Sequence, residues 1–191
     1  MFGLFKSKKS KAIDYLVYRT EVAKYKMMVG DIKQRFTSTK DVVVVCFFKD
    51  TYEKLTKLFE ASQVNKGDHD TRFSLFMYDE EGWKGFKADY EMILAEVHPL
   101  ASVMQKVMDH QTEKSVLTCY TSIDNAFFNI FGGDKLISLL DSMGLEEFES
   151  ISHNMVNKAI ERAQEKLEAK TEFLKPANSI DEWMKINVNN K

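Results

Sequence analysis

Residues 115–170 read SVLTCYTSIDNAFFNIFGGDKLISLLDSMGLEEFESISHNMVNKAIERAQEKLEAK. The change of hydrophobic period inside this stretch decides the fold class. Val116-Leu117-Thr118-Cys119-Tyr120 is short, β-branched and aromatic, which predicts a buried strand. Gly132-Gly133 breaks the chain, and Asp134 is placed to cap a helix. Leu136, Ile137, Leu139, Leu140 and Met143 then recur at helical spacing, and Gly144 suits the left-handed position after the last turn. A longer helix is expected from about Asn154 to Lys170. Val156, Ile160, Ala163 and Leu167 form its apolar stripe. Lys158, Arg162, Lys166 and Lys170 make one charged row, and Glu161, Glu165 and Glu168 another, as on a solvated face.

Upstream, Val42-Val43-Val44-Val45-Cys46-Phe47-Phe48 is apolar throughout rather than alternating. A strand covered on both faces reads this way, as in a parallel sheet with helices on each side. Asp50 is expected to cap a following helix to about Ser62, with Tyr52, Leu55, Leu58 and Phe59 inward. Phe73–Tyr78 predicts a second strand. Tyr90–Val97 predicts a third, with a short helix as the alternative, and His98-Pro99-Leu100 ends it. Ala101–His110 predicts a helix. Ile13–Phe36 predicts one long helix, capped by Asp14 or Ser10. Strands alternating with helices give an α/β three-layer domain with a mostly parallel sheet.

The expected organisation is a basic and aromatic tail over 1–11, a single α/β domain over 12–152, a long helix over 153–175 packing on or extending from it, and a tail over 176–191. Pro176 ends the long helix region. Ser179-Ile180-Asp181-Glu182 is a capping box that starts a short last helix with Trp183 and Ile186.

Composition narrows the function classes. The chain has 191 residues, 44% of them apolar, and a formal net charge of −2. That supports a real core and gives no general pull toward nucleic acid. Cys46 and Cys119 sit in apolar runs, and two cysteines make neither a disulfide framework nor a zinc site. They read as buried hydrophobes of a reducing compartment. No apolar run approaches the length of a membrane span, and Met1–Phe5 is too short for the core of a signal peptide. The expected location is cytoplasmic. Phe2, Leu4 and Phe5 precede Lys6, Lys8, Lys9 and Lys11, a pattern that fits weak contact with an anionic membrane surface. Three apolar residues bind only marginally, so a solvated terminus is the plainer reading.

Four short motifs, taken in order, carry a resemblance. They are Thr118-Cys119-Tyr120-Thr121-Ser122-Ile123-Asp124, Phe128-Asn129-Ile130-Phe131-Gly132-Gly133-Asp134-Lys135, Met143-Gly144-Leu145 and Ile160-Glu161-Arg162-Ala163-Gln164-Glu165-Lys166. Together they are similar to SecA, the preprotein translocase motor ATPase, at the end of its second nucleotide-binding domain and the start of its scaffold helix. The family reads approximately F-Y-x-S-L-E-D, L-F-G-S-D-R, M-x-x-L-G-L and I-E-x-A-Q-K-K at these places. A fainter likeness extends back to Tyr25, and Ile93–Leu100 stands where the family has a strand ending in E-R-H-E-S. The resemblance implies a RecA-like lobe, a P-loop-type fold without its P-loop.

That lineage also implies chemistry that this chain lacks. A RecA-like motor hydrolyses ATP between two lobes, one bringing the phosphate loop and the other arginines. No G-x-x-x-x-G-K-[ST] is present. Met104-Gln105-Lys106-Val107-Met108-Asp109-His110 stands where the family carries Q-x-x-G-R-x-G-R, with neither arginine. Tyr78–Phe86 is acidic where the family has T-N-M-A-G-R-G-T-D. The expectation is a single-lobe, non-enzymatic relative that binds a protein partner, without ATPase activity or cofactor.

The alternative is a small α/β enzyme or ligand binder using a crevice at the carboxyl ends of the strands, where α/β proteins place ligands. Asp50, His98 and Asp124 are its candidate residues, with His98 as a general base or, more plainly, a strand-ending histidine bonded to backbone. His69 with Asp68 and Asp70 reads as a solvated loop, because three neighbouring residues seldom converge on one metal ion. No Ser-His-Asp or Cys-His grouping can be defended from spacing. Phenylalanines are plentiful but no basic stripe interleaves with them, which argues against nucleic acid. Met27, Met28, Met104, Met108 and Met143 read as core, with a methionine-lined peptide groove as the sharper alternative.

Overall fold

Val42, Val43, Val44, Val45 and Cys46 are each inaccessible to solvent, as an uninterrupted apolar run requires of a central parallel strand. The computed structural model describes residues 13–35, 41–64, 73–86, 90–111, 116–129, 137–138, 141–142, 144–171 and 174–188. Its strands are β1 (Asp14–Tyr18), β2 (Asp41–Cys46), β3 (Phe73–Met77), β4 (Tyr90–Leu94) and β5 (Val116–Ser122). They form one sheet in the order β1-β5-β4-β2-β3, and every pairing is parallel. The helices are α1 (Glu21–Arg35), α2 (Lys49–Ala61), α3 (Ala101–His110), α4 (Ala126–Asn129), α5 (Asn154–Glu168) and α6 (Ile180–Asn187).

Successive strand residues point to opposite faces, and the core divides accordingly. Val42, Val44, Cys46, Ile93 and Tyr120 face Ala23, Met28 and Ile32 of α1 and Leu55 and Phe59 of α2. Val43, Val45, Met92, Leu94 and Cys119 face Met104 and Val107 of α3 and Val156, Ile160, Ala163 and Leu167 of α5. The result is the expected three-layer α/β sandwich, with α1 and α2 on one side and α3 and α5 on the other. Cys46 and Cys119 are buried on opposite faces of the sheet and are free thiols. Met28 and Met104 are likewise split between the two cores, so these methionines line no common groove.

The long helix expected over Ile13–Phe36 is instead a strand and a helix. Tyr15 and Val17 turn inward while Asp14 is exposed, and β1 pairs with β5 from Asp14 opposite Thr118 to Tyr18 opposite Ser122. A helix there would forfeit that ladder. Thr20 then starts α1, its hydroxyl accepting the Ala23 N–H at 3.1 Å. The free edge of β1 is partly closed by an antiparallel bridge between Val17 and Ile151.

Smaller differences have local causes. The third strand stops at Leu94 rather than Val97. Phe48, not Asp50, is the N-cap of α2, and its side chain makes no capping bond. Gly144 takes the expected left-handed conformation, with φ +67°. α5 ends at Glu168, short of Lys170. Ser179 caps α6 by accepting the Glu182 N–H at 3.1 Å, while Glu182 reaches back one residue further than a capping box requires and takes the Asn178 N–H at 2.6 Å. The tail over 1–11, the Gly67–Asp70 loop, the Gly132-Gly133-Asp134 turn and most of the Leu136–Met143 helix lie outside the described residues. Among those described, no helix is long and apolar enough to cross a membrane.

Candidate functional site

Because all five strands are parallel, their carboxyl ends share one side of the molecule. β2 and β4 are neighbours, yet α2 leaves β2 toward one face and α3 follows β4 on the other. Such a point opens a crevice outside the strand ends.

Glu96, two residues beyond β4, fills the centre of it and is 5% exposed. One carboxylate oxygen accepts the N–H groups of Phe47 and Phe48, both at 3.0 Å. The other accepts the Thr51 hydroxyl at 2.5 Å. Glu96 therefore satisfies the amides of the β2–α2 turn, the task that sequence reading had given to Asp50. Lys24 of α1 is also buried in this region, 4% exposed, its ammonium 4.2 Å from the Tyr25 ring centre. Burial pushes the Glu96 carboxyl up and the Lys24 amine down, and the attraction between the two groups opposes both shifts.

Around this pair lies a crevice of about 130 Å³, lined in part by Glu21, Asp50, Lys54, Asp124 and Asp181. Asp50 and Asp124 both line this crevice. The Asp124 carboxylate accepts the Glu21 N–H at 2.9 Å and so serves the start of α1. The Asp50 amide donates to the Asn178 carbonyl at 2.9 Å. Asp181 accepts the Ala126 N–H at 2.8 Å. Residues 178–181 therefore lie across the crevice, a chain-distant contact that local sequence patterns gave no sign of. Among the described residues, no grouping of His, Cys, Asp and Glu is arranged to hold a metal ion.

His98 does not join them. It lines a second, larger cavity of about 790 Å³, together with Phe47, Phe48, Tyr52, Tyr78 and Trp183. Its ring stands edge-on to Phe47 at 5.2 Å, stacks on Phe48 at 5.8 Å and meets Trp183 at 5.9 Å. Its Nδ1 accepts the Leu100 N–H at 3.1 Å, the backbone bond expected of a strand-ending histidine. The Glu168 carboxylate favours the charged ring, but burial outweighs it and holds His98 down to about 4.

A pH dependence follows from that depression. Between about 4 and the ordinary histidine value near 6.5, the unfolded chain binds a proton that the folded chain does not. Stability therefore falls as pH drops through this window. The loss is on the order of 2 kcal/mol after discounting for the partly exposed ring. Urea titrations at pH 7 and pH 4.5 measure it, and His98→Phe should flatten the difference.

No family model matches the chain. Over 51 residues it is 43% identical to Protein translocase subunit SecA 1 of Alkaliphilus metalliredigens, covering 27% of this chain and 6% of that protein. It is 47% identical over 49 residues to Protein translocase subunit SecA of Christiangramia forsetii, covering 26% of this chain and 4% of that protein. With the SecA subunit of Acinetobacter baumannii it shares 40% identity over 60 residues, covering 31% of this chain and 7% of that protein. The chain thus contains a SecA-related region, and the matched stretch is less than a tenth of the length of these relatives.

Proposed function

We propose that this chain is a non-enzymatic protein-interaction module descended from the second nucleotide-binding lobe of a SecA-like translocase, without ATPase activity. One observation carries the reading. The strand-end crevice, where a RecA-like lobe would meet a triphosphate, is lined by the buried Lys24 and Glu96 and is crossed by residues 178–181. Five carboxylates line it against two lysines, a balance that repels a polyanion. The erased glycine-rich and arginine motifs point the same way. The described surface includes exposed Val22, Met155 and Leu174, and the partner's identity is open to capture. The tail over 1–11, with Phe2, Leu4, Phe5 and its lysines, is the segment to delete when testing weak membrane contact. The module would act in the cytoplasm, at or near the membrane.

Calorimetric titration with ATP and ADP in magnesium, alongside a phosphate-release assay, tests the central claim. Neither binding nor turnover is expected. Turnover that disappears in a Glu96→Gln or Asp124→Asn variant would refute it.

A second reading has its own support. The cavity of about 790 Å³ at the strand ends lies in the size range of small-molecule sites, which favours a ligand-binding protein using that hollow rather than the small crevice.

A further inference from the structure

We infer that the larger cavity is a site for a small organic cation, with residues 174–177 and Trp183 as its roof. This rests on the ligand-binding reading above and names the class of ligand. The wall is a chain of rings in mutual contact. Tyr78 lies 5.3 Å from Phe47, Phe47 lies 5.2 Å from His98, and His98 touches Phe48 at 5.8 Å and Trp183 at 5.9 Å. Aromatic faces carry negative charge density and attract a desolvated cation.

The charged groups at the rim agree in sign. Glu53, Asp79 and Glu80 outnumber Lys49 and Lys175. Lys49 is paired with Glu53 at 3.6 Å, which removes one charge of each kind from the count. Glu80 turns one oxygen onto the Met77 N–H at 3.0 Å, and Asp79 stands exposed beside it. An anion would find no buried positive group in the wall, since burial keeps His98 uncharged at neutral pH. A neutral aromatic ligand would gain apolar contact and ring stacking, but neither the cation–ring attraction nor anything from the carboxylates.

The roof is built to be held rather than filled. Lys175 and Asn187 tie the strap to α6, with the Lys175 N–H on the Asn187 side-chain oxygen at 2.8 Å and the Asn187 amide on the Lys175 carbonyl at 3.1 Å. Leu174 lines the cavity while remaining 57% exposed.

The test uses the full chain and three probes of one shape: phenyltrimethylammonium, its neutral isostere tert-butylbenzene, and benzenesulfonate. Thermal shift and tryptophan emission report binding, and Trp183→Phe assigns the emission change to the cavity rather than to Trp83. The cation should bind about 3- to 30-fold more tightly than the neutral isostere, and benzenesulfonate should bind more weakly than either. Asp79→Asn, a surface change, should weaken the cation several-fold and leave the neutral probe unchanged. Equal affinity for cation and neutral isostere would overturn the cation assignment while leaving a ligand cavity. Failure of all three probes to bind the folded chain would overturn the cavity reading itself.

Discussion

Glu96→Ala is expected to lower stability by about 3–5 kcal/mol, because it removes the compensation from a buried charge and orphans buried donors. For a chain of this size that corresponds to roughly 10 °C in melting temperature. The reasoning follows the donors. Phe47 and Phe48 direct two amides at one Glu96 oxygen, and Thr51 directs its hydroxyl at the other. Alanine leaves all three without their acceptor and removes the largest of the opposing charges acting on Lys24. Glu96→Gln keeps the shape and an acceptor oxygen, so it should cost about 1–2 kcal/mol. Lys24→Met should cost less than the alanine change, because the three donors to Glu96 remain and the methionine refills the space. Thermal denaturation followed by circular dichroism orders the three variants. An alanine variant within about 1 kcal/mol of the parent would mean that water replaces the carboxylate and that Glu96 does not organise the turn.

The second large effect is at Trp183. This side chain is 4% exposed and belongs to the core on the α3 and α5 side of the sheet. Trp183→Ala should cost about 3–5 kcal/mol, the usual range for an emptied aromatic core position. α6 packs on α4, and residues at its start, Asn178 and Asp181, accept the amides of Asp50 and Ala126. Loss of the indole should therefore loosen the polar contacts as well, seen as raised hydrogen exchange at Asp50 and Ala126. Leu174→Ala is the control. Its side chain is 57% exposed, so it should change stability by no more than about 0.5 kcal/mol.

Much of the scaffold was legible because its central strand is buried on both faces. The Val42–Cys46 run admits no helix with a polar side, so β2 and the parallel sheet could be inferred from it. β1 was harder. Leu16 and Val17 fall on the same helical stripe as Ala23, Met27 and Met28, and five residues are too few for alternation to override that match. What makes Asp14–Tyr18 a strand is β5, which local periodicity does not contain. The site divides in the same way. Asp50, His98 and Asp124 could be placed at strand ends from their position after apolar runs. Lys24 and Glu96 could not, because charged residues read as surface unless a partner is known. The nearest available signal was Glu96 following Leu94-Ala95 with no turn residue between. Residues 178–181 looked like a tail because nothing in a capping motif says what the helix will lie upon.

The pairing of β1 with β5 bears on how the chain acquires its shape. Asp14 meets Thr118, so β1 waits about a hundred residues for β5, its in-sheet neighbour among the described strands. Every closure of that kind must pay loop entropy before contact repays it, and parallel sheets built so are slow to form. A ribosome-bound fragment ending before Val116 would hold β2, β3 and β4 while Tyr15 and Val17 remained uncovered. Pairing of β1 with β5 is thus expected among the later steps of folding, and Tyr15 and Val17 stay uncovered until it is made.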